Sequence, residues 1–254
     1  MKMINPFNKY ALSVTLGVVG AEITSLIPSE AGTWDTQISI DAPGGIPTAI
    51  ATKGSDVFVS AAGAIYKWNQ TTSWADLGGE TRAYAKAIAI DGNFLYAGGN
   101  IQYPDGTWSV TGVSRFNLTT GTWEPVGGGT GPTSIEAIAV GGGFVYIGGR
   151  GWPWTLANGS TANCLGRFDL SAGISNPAGW DNMGGGVDNW DFPGSSDAGV
   201  YALSLFMQSY NCGETTGTMH RLHIGGQFEK TVGSVKARSI VRWDKATCAG
   251  ATAS

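Results

Sequence analysis

The sequence predicts an all-β fold, a four-bladed β-propeller in which each blade is a sheet of four strands. Two observations lead to this prediction. One long phrase recurs four times along the chain, and recurrence at this spacing is typical of repeat architectures. Within each phrase, short runs of β-forming residues are bounded by Gly, Asn, Asp or Thr, and helical periodicity is scarce. Four strands per repeat describe one propeller blade.

The repeats are clearest in the second and third copies. Each copy has an Ala-rich strand, a strand ending in Gly-Gly, an Arg-Phe-Asn/Asp strand, and a Trp segment ending in glycines. Alanines at alternate positions of the first strand suit the crowded axis of a small ring. The predicted blades comprise residues 46–79, 80–129, 130–186 and 187–248.

The last repeat lacks its Trp segment, and a spare one precedes the first repeat. Residues 32–45 contain Trp34 and end in Gly-Gly, as the missing segment would. We expect this N-terminal strand to complete the last blade and close a propeller over residues 32–248, followed by a tail at 249–254, because closure removes exposed sheet edges. Closure within the chain is the default. Entry of the strand into a neighbouring molecule, or truncation of a longer array, are alternatives.

The repeated phrase also carries a family resemblance. Tyr-x-Gly-Gly followed by Arg-Phe-Asn/Asp, Thr-x-Gly and Trp resembles kelch-type repeats, closest to those of secreted bacterial surface proteins and the fungal cortical polarity-marker family. The resemblance covers residues 46–248 and implies a propeller fold, but one fold hosts many activities. Kelch propellers include a copper radical oxidase, which needs paired Tyr and His ligands and a Tyr–Cys crosslink. This chain has only His220 and His223, so the resemblance does not imply that activity.

Composition indicates a single, weakly charged domain. Only 13% of the residues are charged, and the formal net charge of -4 argues against a nucleic-acid partner, which would require a basic patch. A surface of Thr, Ser, Asn and Gly is typical of extracellular or assembled proteins. We therefore expect an extracellular or cell-surface location.

Residues 1–31 precede the repeats and allow three interpretations. Lys2 and Lys9 followed by an apolar stretch are typical of a signal peptide, with a small-residue cleavage site at residues 19–21. The stretch is too short for a stable membrane span. Alternatively, residues 1–31 form an intersubunit arm, since apolar and small residues alternate as in a strand. A disordered tail is the third interpretation. The apolar positions of the arm are Leu12, Val14, Leu16 and Val18.

The three cysteines suggest one disulfide. Cys212 lies between the first two strands of the last blade, and Cys248 lies just after its third strand, so both fall on one face of the ring. We predict a Cys212–Cys248 disulfide, which implies an oxidising compartment. Cys164 falls on the other face, and is either a buried thiol or half of an intermolecular bridge.

No catalytic constellation occurs in the sequence, and the glycine-rich runs lack the residues that bind phosphate. We expect no enzyme activity and no cofactor, with a propeller hydrolase or lyase as a minor alternative. His220 and His223 are interpreted as packed or hydrogen-bonded side chains rather than metal ligands.

One cation occupies the same position in every repeat. This recurrence favours a structural role, such as bonding a nearby carboxylate, over a ring of cations that binds an anion. The four residues are Lys67, Arg115, Arg167 and Arg242.

Long loops on one face of the ring are rich in aromatic residues. Exposed aromatic side chains among polar residues can stack on sugars or anchor a protein, although they can also fold inward and pack the loops. The candidate binding residues are Tyr103, Trp108, Trp152, Trp154, Trp190 and Phe192. Asp188, Asp191 and Asp197 could supply oxygen ligands for Ca²⁺, but their spacing matches no defined calcium loop.

The sequence therefore predicts a non-enzymatic extracellular β-propeller that serves structure or interaction. Its strongest form is a self-assembling subunit that uses its N-terminal arm to build oligomers or filaments. The alternative is a module that binds a glycan or a protein through the aromatic loops. Expected partners are further copies of the chain, another surface protein or a glycan.

Overall fold

We describe the protein from a computed structural model. The structure describes residues 44–68, 74–77, 83–103, 105–108, 112–128, 132, 134–151, 153–188, 198–213, 215–233 and 235–248. The predictions for residues 1–31 and for the strand at 32–43 lie outside this part of the chain. So do those for the aromatic residues Trp152, Trp190 and Phe192, and for Asp191 and Asp197. The chain divides into two compact units, and all the described residues belong to the second, Thr36–Ser254.

The described part of the chain is all-β, which confirms the predicted class. Four antiparallel sheets follow one another in sequence, three of them with four strands and the last with three. The strands are β1 (Ala49–Lys53), β2 (Asp56–Ala61), β3 (Ala64–Trp68), β4 (Ala75–Asp76), β5 (Ala83–Asp91), β6 (Phe94–Ile101), β7 (Val113–Asn117), β8 (Thr122–Pro125), β9 (Ile135–Gly141), β10 (Phe144–Gly149), β11 (Trp154–Thr155), β12 (Thr161–Ala162), β13 (Leu165–Asp169), β14 (Trp180–Asp181), β15 (Val187–Asp188), β16 (Gly199–Asn211), β17 (Thr216–Gln227), β18 (Lys230–Thr231) and β19 (Ile240–Thr247).

Each of the four sheets is a simple meander. The first contains β1–β4, the second β5–β8, the third β9, β10, β13 and β14, and the fourth β16, β17 and β19. Strands β11 with β12, and β15 with β18, form two small additional pairs. No helix in the described residues is long and apolar enough to cross a membrane.

The sheets approach each other closely at glycines of their second strands, Gly98 in β6 and Gly148 in β10. A Cβ at Gly98 would lie 2.4 Å from Cγ2 of Ile135 in the next sheet. A Cβ at Gly148 would lie 2.3 Å from Cγ1 of Val200, again in the next sheet. The Gly-Gly phrase of the repeat therefore lies where neighbouring sheets meet, since glycine permits such close approach.

Every sheet has two faces that alternate along its strands, as the strand periodicity requires. We call the face that packs on the following sheet the forward face and the opposite face the backward face. In the second sheet, Ala89 of β5 and Tyr96 of β6 are on the forward face, and Ile90 and Leu95 are on the backward face.

Three hydrophobic cores form where a forward face meets the next backward face. Phe58 and Ile65 of the first sheet pack with Leu95 and Phe116 of the second. The second and third sheets meet around Tyr96 and Phe168, and the third and fourth around Tyr146, Leu222 and Ile224. The same junction is therefore used three times.

Candidate functional site: the two ends of the sheet array

The structure packs two of the aromatic residues that the sequence offers as a binding face, Trp154 and Tyr103, against hydrophobic cores. Trp154 is 5% exposed, and its indole N–H donates a hydrogen bond to the carbonyl of Arg150 at 3.0 Å. Tyr103 is half-buried, packs against the core between the first two sheets, and its hydroxyl lies 2.8 Å from that of Ser114. The expectation of an exposed binding ring is therefore wrong at Trp154, because the loop before β12 folds this indole into the core.

Trp108 remains at the surface and has a neighbour that the sequence does not single out. Trp108 is 43% exposed and lies nearly parallel to the ring of Tyr84, which is 51% exposed, with centroids 6.3 Å apart. The Tyr84 ring in turn packs on Gly63, whose absent side chain makes room for it. Tyr84 belongs to the inner strand β5, and its outward position could have been found from strand alternation.

Asp188, the calcium candidate that the structure describes, faces a lysine. Its side chain is 10% exposed, and its Oδ2 lies 3.7 Å from Nζ of Lys230 on the neighbouring strand. The cation beside this carboxylate is thus supplied by the chain itself. Within the described residues, no three His, Cys, Asp or Glu side chains are grouped to hold a metal ion.

The repeated cations are part of the sheets. Each of the four lies 2.9 Å or less from a carboxylate: Lys67 from Asp56, Arg115 from Glu124, Arg167 from Asp181 and Arg242 from Asp244. The first three of these cations also lie over an aromatic ring of their own sheet: Lys67 over Phe58, Arg115 over Phe94 and Arg167 over Phe144. These contacts support the structural interpretation, since cation–π and charge-assisted bonds stabilise a packed cation.

His220 is a core side chain that bonds two hydroxyls. It is 1% exposed, with Nδ1 3.2 Å from the Tyr146 hydroxyl and Nε2 3.4 Å from that of Thr247. Burial, and then the charges of Arg167 and Lys245, lower the pKa of His220 below its ordinary value. His223 lies on the opposite face of β17 and is exposed, so the two histidines do not form a pair.

The predicted Cys212–Cys248 disulfide is confirmed. The two residues are 36 positions apart in the sequence, and the bond joins the β16–β17 turn to the end of β19. Cys164 is a free buried thiol whose Sγ lies 3.3 Å from the carbonyl oxygen of Ala198. Burial, and then the charge of Asp188, raise the pKa of Cys164 to about 12, so this thiol is not poised to react.

The forward face of the fourth sheet is exposed. Ile240 is 68% exposed, whereas Leu165, at the equivalent position of the third sheet, is 3% exposed. Ala202 and Ser204 of β16 are exposed as well, although the matching Ala137 and Ala139 of β9 are buried. Phe206 extends the apolar surface and is 52% exposed.

The backward face of the first sheet is also exposed. Ile50 is 67% exposed, whereas its equivalents Ile88 and Ile138 in the second and third sheets are 8% and 9% exposed. Tyr66 and Trp68 of β3 share this face and are only partly buried. The array therefore ends in a forward face at one end and a backward face at the other.

The two ends match the faces that join within the array. A forward face presents small residues on its inner strand, and a backward face presents Ile, Leu or Val there. Large exposed apolar patches usually mark sites of interaction. Sequence reasoning missed these ends, although the repeat alignment places Ile50 with Ile88 and Ile240 with Leu165.

Comparisons with known proteins align this chain with solved structures that include two designed proteins. No protein-family model and no curated protein matches the chain. The computationally designed Ika4 protein aligns with 80% of this chain and 93% of its own, at 16% identity and a TM-score of 0.42. The designed Ika8 protein aligns at 17% identity and a TM-score of 0.37, over 76% of this chain and half of its own length. Both TM-scores are below 0.5, so neither assigns a fold to this chain.

Proposed function

We propose that the four sheets are kelch-like propeller blades, which within one chain form an open array with two exposed ends rather than the closed ring that the sequence predicts. The support comes from the meander order of each sheet and from the contacts between inner strands, since β1 packs beside β5, β5 beside β9 and β9 beside β16. A blade of this type runs outward from the axis as four antiparallel strands. The fourth sheet has three strands among the described residues, and the strand predicted at residues 32–45 would complete it.

The function that the geometry supports best is that of a non-enzymatic structural subunit that associates with further copies of itself. One observation carries this proposal: the array ends in two exposed apolar faces of complementary type, represented by Ile50 and Ile240. Because a forward face packs on a backward face at every internal junction, the end of one copy offers the surface that the other end requires. Such head-to-tail contacts produce rings or filaments.

An extracellular or surface location accompanies this proposal. The Cys212–Cys248 disulfide supports it, because such bonds persist mainly in oxidising compartments. The arm at residues 1–31 with its apolar positions Leu12, Val14, Leu16 and Val18 lies outside the described residues, and its role in assembly stays a prediction. Removing residues 1–31 and measuring the size of the particles would test that role separately.

The oligomeric state of the full chain, measured by light scattering during size exclusion, tests the proposal. We expect concentration-dependent association, which Ile50→Lys and Ile240→Lys each reduce at least tenfold because a charge would be buried at the junction. Thr120→Lys is the control, since it adds the same charge at an exposed turn residue of the second sheet, which is not at an end of the array. A chain that stays monomeric at high concentration would refute self-association.

A second candidate function rests on the stacked pair of Tyr84 and Trp108. Two parallel, half-exposed rings provide a flat apolar surface on which a sugar ring or a protein side chain can stack. Screening the chain against a glycan array, with Trp108→Ala as the comparison, tests this candidate. Binding that is unchanged by Trp108→Ala would exclude this pair as the site.

A further inference from the structure

Strand β19 differs from the third strands of the other sheets at its outer edge. In the other three sheets the third strand pairs on both sides: β3 with β2 and β4, β7 with β6 and β8, and β13 with β10 and β14. Strand β19 pairs with β17, and among the residues that the structure describes no strand pairs with its other edge. The N–H and C=O groups of such an edge are a template for an added strand.

In the third sheet, the fourth strand contributes an indole at a defined place. Trp180 of β14 lies directly opposite Phe168 of β13, with ring centroids 5.2 Å apart. The indole also lies over Gly127, in the turn after the second sheet, where a Cβ would come within 2.1 Å of Nε1. The Trp side chain thus joins its own sheet to the preceding one. Trp123 is placed in the same way beside Phe116.

The corresponding place next to the fourth sheet is a cavity. Trp243 occupies the position of Phe168, and Gly184 occupies that of Gly127. Among the described residues, no atom lies within 4 Å of a Cβ built on Gly184, and a cavity of about 270 Å³ is lined by Gly184, Trp243, Met183 and Val241. The cavity therefore lies where the repeat would place an indole.

The charge at this edge matches an acidic residue after that indole. Glu124 and Asp181, which directly follow Trp123 and Trp180, bond the cations Arg115 and Arg167 of the neighbouring strand. At the same position of β19, the side chain of Arg242 is 53% exposed and bonds Asp244 of its own strand. A strand that carries Trp followed by an acid would complement both the cavity and Arg242. The sequence contains this pair at Trp34 and Asp35.

We propose that the segment at residues 32–45 of a second copy adds to β19 as an antiparallel strand, with Trp34 in the cavity and Asp35 on Arg242. The segment leads into β1 after a few residues, so its donor also brings its first sheet to the end of the array. In this chain, Ile50 of the first sheet and Ile240 of the fourth are both exposed, so its own first sheet does not cover that end. The second copy is therefore the occupant, and this inference rests on the proposed self-association.

Disulfide trapping between two singly substituted full-length chains tests the inference. In the sibling sheets, Arg115 lies opposite Glu124 and Arg167 opposite Asp181, so Arg242 should lie opposite residue 35. Cβ atoms opposite each other in antiparallel strands are close enough for a disulfide after small shifts. We expect a mixture of Asp35→Cys and Arg242→Cys chains to give a linked heterodimer under mild oxidation. Asp35→Cys mixed with Ile240→Cys, two positions along the same face, is the matched control and should give much less.

Two other outcomes would overturn this inference. If the mixture gives no heterodimer, while a chain carrying both substitutions forms an internal bond, the strand belongs to the same chain. If the heterodimer forms equally with the Ile240→Cys control, the register is wrong and the cavity is not the site. Both outcomes are recognised on a non-reducing gel and by intact mass.

A second measurement separates this inference from the proposed function. We expect Trp34→Ala to weaken self-association at least tenfold, whereas the conservative variant Trp34→Phe, which keeps a large ring for the cavity, should weaken it much less. If the chain associates but Trp34→Ala has no effect, the exposed faces of the first and fourth sheets account for the association. The proposed addition of residues 32–45 to β19 is then refuted. If the unaltered chain does not associate at any concentration, the proposed function itself fails.

Discussion

The four repeated cations differ in how deeply their side chains are buried, and Arg167 is the most buried of them. The side chains of Lys67, Arg115, Arg167 and Arg242 are 36%, 18%, 5% and 53% exposed. Arg167 is the most buried of them because the fourth sheet covers it, with Trp243 5.1 Å from its guanidinium carbon. Two of its nitrogens have no hydrogen-bond partner in the part of the chain that the structure describes, and the rings of Phe144 and Trp243 lie beside its guanidinium.

Replacing Arg167 by Ala should lower the free energy of unfolding by about 3 kcal/mol, near the lower end for breaking a buried ion pair. The lower end applies because the Asp181 side chain is 41% exposed and can remain hydrated. Urea unfolding followed by tryptophan fluorescence would measure the loss. Lys67→Ala is the matched control and should cost less than about 1 kcal/mol, as for an exposed pair. Equal losses would contradict a special role for burial at Arg167.

His220 makes stability depend on pH. Its pKa in the folded protein is below the ordinary value of 6.5, so the unfolded chain binds the proton more readily. Stability from the neutral imidazole is therefore complete above about pH 6.5 and is lost as the pH falls through the folded pKa. We expect His220→Gln to flatten the decline in unfolding free energy between pH 7.5 and 5. His223→Gln, at an exposed histidine of the same strand, should leave it unchanged, and a decline that persists in both variants would point to other groups.

At the scale of the element, the fourth sheet differs most from its siblings. Strands β16 and β17 continue well beyond the equivalent strands β9 and β10, and the disulfide fastens their extension to the end of β19. The extension also carries His220, which bonds Thr247 at the end of β19. The extension also contacts the third sheet, where Met207 lies beside Gly141 and Gly142, so the crosslink adds to existing contacts.

Removing the disulfide by Cys212→Ser together with Cys248→Ser should lower the unfolding free energy by about 3–4 kcal/mol, the loop-entropy estimate for cysteines 36 residues apart. Chemical denaturation measures the change. Reductant should destabilise the unaltered chain to the same extent and have no effect on the variant. A variant as stable as the oxidised protein would show that the extension contributes little to the global transition.

The sequence predicts the strands and the disulfide well because both depend on local patterns. The Ala-rich strands, the turns and the Arg-Phe-Asn/Asp segments each specify their own geometry, and Cys212 and Cys248 lie close once the strands are placed. The loops are predicted less well. Trp154 and Trp108 occur in similar polar loops, but one is buried and the other stacks on Tyr84, because the outcome depends on which neighbour leaves room. Gly63 makes that room for Tyr84, and nothing near Trp108 in the sequence indicates it.

At the scale of the whole molecule, burial is uneven along the array. The second and third sheets are covered on both faces, whereas the first and fourth each expose one. Local stability follows burial, and strands covered on both sides open only when the molecule unfolds globally. The central strands β2, β6, β10 and β17 allow a fair comparison, since each is hydrogen-bonded on both edges.

Native-state hydrogen exchange on dilute protein should therefore show the slowest amides in β6 and β10, with faster exchange in β2 and β17. Raising the protein concentration should slow exchange in β2 and β17 and leave β6 and β10 unchanged, because association covers the ends. Mass spectrometry of peptic peptides resolves the four strands. Uniform protection at low concentration would mean that the ends are already covered within one chain.

The threefold use of one junction has a consequence for the length of such proteins. The contacts at each junction involve only the two sheets that meet there. The number of sheets before or after a junction therefore does not affect its packing. Duplicating residues 80–129 would add a sheet without requiring a new kind of contact, since repeat proteins are stabilised by nearest neighbours. Gene duplication can thus lengthen the array freely, and selection for a particular size must act on the residues at its two ends.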